Sequence, residues 1–127
     1  HPGKYADLLG EKLNADKSIN VWLVNTGWSG GAYGVGKRMK LAHTRAMVTA
    51  ALSGKLDNAA TTVDPVFGLS IPNEVPGVPT DVLSPRNTWS DGAAYDAQAK
   101  KLAEMFRKNF EKFGDVSPAI RDAGPKG

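Results

Sequence analysis

The sequence predicts an α/β fold, a few strands with helices packed on them, and three observations carry that expectation. A run of β-branched and aromatic residues, "INVWLVN" (Ile19–Asn25), leads into a glycine-rich stretch, "TGWSGGAYGVGKR" (Thr26–Arg38). A block of good helix formers follows from Leu41. Strand, glycine loop, helix is the order in which α/β proteins bind nucleotides.

Taken in order, Pro2 to Asn14 reads as a first helix. Tyr5, Leu8, Leu9 and Leu13 recur at helical spacing and make one apolar stripe, and Pro2 suits a first turn. Gly10 weakens the helix a little. Ile19–Asn25 shows little alternation after Asn20, which suits a strand covered on both faces. The next stretch holds five glycines in thirteen residues, a density that fits close backbone approach or positive φ. A second helix is expected over Leu41 to Leu52, rich in Ala42, Ala46, Met47, Ala50 and Ala51, with Ser53-Gly54 as its stop.

The character changes between Asp57 and Arg86. Five of the eight prolines (Pro65, Pro72, Pro76, Pro79 and Pro85) fall there, with short β-like pieces at Thr61–Val63 and Val66–Ile71. Proline is excluded from central strands, so this reads as extended chain crossing a larger body, with little core of its own. The last long element is a helix from about Gly92 to Phe113, with Ser90 or Asp91 as N-cap. Ala99, Leu102, Phe106, Phe110 and Phe113 share one face, and Glu104 precedes Lys108 in the order that favours a surface pair. Lys101, Arg107, Lys108 and Lys112 read as its solvated side. The tail "SPAIRDAGPKG" adds a turn of helix and then frays. No repeat or low-complexity tract is visible, and the pieces look like part of a larger α/β domain.

Composition narrows the function classes. The chain of 127 residues has no cysteine, which excludes disulfides, thiolate zinc sites and a cysteine nucleophile, and fits a reducing compartment. Its only histidines are His1 and His43, so no His-rich metal site is expected. Sixteen basic against thirteen acidic residues give a net charge of +3, too small and too scattered to point to nucleic acid. No run of about 18 apolar residues suggests a membrane span. The opening "HPGKYADLLG" is not built like a signal peptide, and the absence of an initiator Met suggests a processed or excised piece.

One motif carries chemistry. "GAYGVGKR" (Gly31–Arg38) has the G-x-x-x-x-G-K spacing of a phosphate-binding loop, but Arg38 stands where that motif needs Ser or Thr. Arginine cannot ligate the cation that the hydroxyl would hold. Lys37 and Arg38 could instead grip phosphate, since guanidinium forms forked hydrogen bonds to it. Alternatively Arg38 could lie flat against a base, or the stretch could be a plain glycine turn with two solvated cations. Thr44 could cap the following helix or offer its hydroxyl to a ligand. His43 has no evident carboxylate partner as a general base. Trp22, Trp28 and Trp89 read as packing residues, Asp57, Asp64 and Asp81 show no metal-site spacing, and no Ser-His-Asp arrangement is present.

"VWLVNTGWSGGAYGVGKRMKLAHTRAM" closely resembles ATP-dependent phosphoenolpyruvate carboxykinases. The resemblance continues through "GKLDNA", "DPVFGLSIPNEVPGVP", "SPRNTW", "YDAQAKKLAEMF" and "AGPK", and begins with "HPGKYADLLGEKL". It spans essentially the whole chain and implies residues 1–127 to be the C-terminal portion of the family's mononucleotide-binding domain, not a complete domain. The family's P-loop, metal ligands, catalytic lysine and oxaloacetate-binding arginines would then lie upstream, leaving no catalytic and no metal residue here. The resemblance places Arg38, Met39 and Thr44 against the adenosine part of ATP, Met39 offering a backbone amide and an adaptable side chain. The implied reaction converts oxaloacetate and ATP to phosphoenolpyruvate, CO₂ and ADP in gluconeogenesis, with Mg²⁺ and Mn²⁺ in the intact enzyme, chiefly in the cytoplasm. The remainder of the enzyme would pack against this segment, neither nucleic acid nor membrane would be a partner, and these residues alone would be inactive. A stand-alone adenine-nucleotide-binding module is the alternative reading; a small basic nucleic-acid protein rests on the charge alone.

Overall fold

The computed structural model describes residues 2–114 and 116–127. Helix α1 (Pro2–Ala15) forms where its stripe predicts it, yet Tyr5, Leu8 and Leu9 remain exposed. Ile19–Asn25, expected as a strand, forms none. A strand exists only through its ladder, and no backbone–backbone hydrogen bond ties residues 20–26 to the rest of the described chain. The segment is held instead by its side chains. Asn20 donates to Asp57 at 3.1 Å, and Trp22 packs on a small core.

The glycine stretch folds into a hairpin. Strands β1 (Trp28–Ser29) and β2 (Lys37–Arg38) pair antiparallel, Trp28 opposite Arg38 and Ser29 opposite Lys37. Helix α2 (Leu41–Leu52) follows two residues later. Its stop is a Schellman motif: Gly54 takes φ +70°, its N–H reaches Ala51 O at 3.3 Å, and Lys55 N–H reaches Ala50 O at 3.1 Å.

Strands β3 (Thr61–Val63) and β4 (Ser70–Pro72) form a second antiparallel pair with Thr62 opposite Ile71. The second β-like piece was expected from Val66, but the Asp64 carboxylate accepts the N–H groups of Val66 (2.9 Å) and Phe67 (2.6 Å), bending the chain into a turn before β4 begins. The proline-rich segment also carries more core than its composition suggests. Val75 and Val78 are buried beside Ala50 and Leu56. They stand at the two ends of a Val75-Pro76-Gly77-Val78 turn, closed by Val78 N–H on Val75 O at 3.0 Å, with Gly77 at φ +80°. Proline then glycine at its centre is the type II signature, so the turn delivers both valines to one side.

After α3 (Thr80–Leu83) and a 3₁₀ turn (Pro85–Thr88) comes the longest helix, α4 (Gly92–Phe110), capped by Asp91 accepting from Ala93 and Ala94 at 2.9 and 3.1 Å. Its buried positions are Ala99 and Ala103. The larger residues of the expected stripe, Leu102 and Phe106, are exposed, although Phe106 meets Phe67 edge to face at 6.4 Å. Glu104 and Lys108 form no ion pair; Arg86 and Asp96 do, at 2.8 Å. A 3₁₀ turn (Glu111–Phe113) and α5 (Pro118–Asp122) end the chain. The architecture is mixed, helices with two small sheets, and among the described residues no helix is long and apolar enough to cross a membrane.

Candidate functional site

The hairpin decides what the mock phosphate loop can do. In a P-loop the backbone N–H groups stay free to cradle phosphate, and the helix opens at the lysine. Here Val35 and Gly36 donate their N–H groups to Ala32 O at 3.0 and 2.8 Å, and Lys37 and Arg38 lie in a strand. Close approach of the backbone explains one glycine: a Cβ on Gly36 would sit 2.2 Å from Gly31 O. Gly34, with φ +89° and open space around it, is needed for its backbone conformation instead.

Opposed residues of an antiparallel pair project to the same face, so Trp28 and Arg38 share one side of the hairpin. Trp28 meets Tyr33 edge to face, ring centroids 5.3 Å apart. Arg38 is exposed, and its guanidinium makes no hydrogen bond or ion pair with any described residue. Met39 is half-buried. Its N–H is committed to Gly27 O at 3.0 Å, which closes the neck of the hairpin. That overturns the expectation of a free Met39 amide; its carbonyl and thioether remain.

Thr44 sits in the first turns of α2, half-buried, its N–H on Lys40 O at 3.3 Å. No side chain caps this helix, so Thr44 is not a capping residue and its hydroxyl is left for another partner. His43, also half-buried, lies beside it. The three sequence-derived residues thus cluster along the chain where hairpin passes into helix. A cavity of ≈ 300 Å³ lies elsewhere, between the β3–β4 hairpin and the start of α4, with Tyr95, Arg86 and Asp96 in its wall. There the Arg86 guanidinium holds the Asp96 carboxyl below the usual range, while burial, with the nearby charges of Asp64 and Asp96, pushes the Tyr95 hydroxyl up. Sequence reasoning missed that cavity, which depends on tertiary placement of Arg86 and Tyr95. Among the described residues no three His, Cys, Asp or Glu side chains gather.

A mixed helix-and-small-sheet segment whose glycine hairpin presents an unpaired arginine beside a helix start is the class defined by this geometry. Comparison with known proteins makes it specific. The model of the family described as phosphoenolpyruvate carboxykinase matches residues 1–81, and the chain belongs to that family. It is 60% identical over 121 residues to a phosphoenolpyruvate carboxykinase (ATP) of Geobacillus thermodenitrificans, covering 95% of this chain and 23% of that protein. It is 56% identical over 126 residues to the protein of the same name in Brucella suis, covering 98% and 23%. A Moorella thermoacetica relative, phosphoenolpyruvate carboxykinase (ATP) 1, is 56% identical over 126 residues, covering 99% and 24%. The chain therefore spans about a quarter of the length of these curated relatives.

Proposed function

We propose that these residues are the C-terminal part of the nucleotide-binding domain of an ATP-dependent phosphoenolpyruvate carboxykinase and supply the adenine and ribose side of its ATP site. The unpaired Arg38 guanidinium, held by β2 directly before α2, is the observation that carries this reading. A planar cation free of protein partners suits a base face or ribose oxygens. Met39 adds its side chain, and Thr44 a hydroxyl. The loop amides of Val35 and Gly36 are already bonded, which favours a purine-side role over a phosphate cradle.

In the intact enzyme, oxaloacetate would be decarboxylated and the resulting enolate phosphorylated by ATP. The triphosphate, and the Mg²⁺ and Mn²⁺ that neutralise it, would be held by polypeptide outside these residues. What this segment contributes is position, because a misplaced base carries the γ-phosphate out of line. In the full-length enzyme, Arg38→Ala is expected to raise the KM for ATP far more than that for oxaloacetate. Equal effects on both substrates would refute the assignment.

A further inference from the structure

A hairpin two residue pairs long needs outside support, because an isolated two-stranded ribbon is marginally stable in water. β1 and β2 are that short, and β2 carries Arg38. Gly30, the residue after β1, shows where the support comes from. It takes φ +82°, and a Cβ there would lie 2.7 Å from Thr88 O and 3.7 Å from Thr88 C. The hairpin backbone therefore lies directly against the peptide that ends the 3₁₀ turn (Pro85–Thr88).

That turn is itself braced. Thr88 Oγ1 donates to Pro85 O at 2.7 Å, and the N–H groups of Asn87 and Trp89 reach Ser84 O and Arg86 O at 2.9 and 3.3 Å. Two side chains then clamp it to α4. Arg86 donates a fork to Asp96, Nε to Oδ1 at 2.8 Å and Nη2 to Oδ2 at 3.0 Å, and a fork fixes direction as well as distance. A Cβ on Gly92 would lie 2.8, 2.9 and 3.0 Å from Nη2, Cζ and Nη1 of Arg86, so the guanidinium plane rests on the bare first residue of α4. Trp89 meets Tyr95 of the same helix edge to face, ring centroids 5.7 Å apart.

We infer that Pro85–Trp89 is the buttress of the nucleotide hairpin, and that Arg86, acting through Asp96, the Thr88 carbonyl and Gly30, is a positioning residue that sets where Arg38 presents its guanidinium to ATP. The inference rests on the proposed contact between Arg38 and ATP and adds the element that holds that contact in place. Arg86 and Asp96 are both half-exposed, so their pair contributes little to global stability. Its loss shows in nucleotide binding rather than in folding.

Steady-state kinetics of the full-length enzyme test this with Arg86→Gln, Gly30→Ala, Arg38→Ala, and each of the first two combined with the third. Arg86→Gln releases the turn from α4, and Gly30→Ala pushes the hairpin off the turn. Each is expected to raise the KM for ATP about fivefold or more, with kcat and the KM for oxaloacetate held within about twofold. In the Arg38→Ala background neither should raise it further, since residues that act through one contact do not add. Only folded molecules set KM, so a variant that folds poorly still reports. If Arg38→Ala raises the KM for ATP while either Arg86→Gln or Gly30→Ala leaves it unchanged, the buttress is overturned and the proposed function stands. Effects that multiply with that of Arg38→Ala, or a matching rise in the KM for oxaloacetate, would overturn it too. An unchanged KM for ATP in Arg38→Ala itself would refute the functional reading and the inference with it.

Discussion

Replacing Gly36 with alanine tests whether hairpin geometry controls the candidate ATP contacts. A Cβ there would lie 2.2 Å from Gly31 O, 2.8 Å from Gly31 C and 2.8 Å from Ser29 O. All three atoms are backbone, so no side chain can swing aside; the two arms of the hairpin must separate. Overpacking of this kind costs about 1–3 kcal/mol. Separation also threatens the Gly36 N–H bond to Ala32 O and the Met39 N–H bond to Gly27 O, each worth about 1 kcal/mol. If the closed hairpin is the state that binds ATP, its population falls and the apparent affinity falls with it. At 1.4 kcal/mol per tenfold, the steric cost alone corresponds to an upper bound of about 5- to 150-fold in the KM for ATP. The assay is steady-state kinetics of the full-length Gly36→Ala enzyme, paired with hydrogen exchange at the Met39 amide. A variant that keeps Met39 protected and leaves the KM for ATP unchanged would refute the link between the hairpin and the nucleotide.

Two further outcomes concern stability. Asp91→Ala removes the carboxylate that accepts from Ala93 and Ala94, and should lower the unfolding free energy by about 1 kcal/mol in denaturant titration; an unchanged midpoint would show that the cap does not hold α4. Asp96 has its folded-state pKa depressed by Arg86, so its stabilisation is complete above the ordinary Asp value of about 3.9 and drains away as pH falls through the depressed value. Asp96→Asn should therefore flatten the acid limb of the stability profile and leave its shape near neutrality alone. An identical acid limb would contradict the pairing.

How far the sequence could be read depended on whether a signal was local. The stripe of α1, the alanine-rich run of α2 with its Ser53-Gly54 stop, and the Asp91 cap of α4 all act within a few residues, and all appear where expected. The composition of Ile19–Asn25 is equally strand-like, but a ladder needs partners that composition cannot provide. Val75 and Val78 were hidden because proline and glycine signal a turn without saying which way its ends face. The glycine stretch advertised close approach correctly, while the hairpin followed from the mutual fit of Gly31 and Gly36 across five residues. The free guanidinium of Arg38 and the engaged amide of Met39 are tertiary facts that the motif spacing could not separate.

The central claim is that Arg38 and Thr44 hold the purine side of ATP while other polypeptide holds its phosphates. A crystal structure of the full-length enzyme with a non-hydrolysable ATP analogue tests it most directly. The account requires the adenine or ribose within contact distance of Arg38 and Thr44 and the phosphates away from the hairpin. Phosphates wrapped by residues 31–37, or a base lodged far from both side chains, would contradict it.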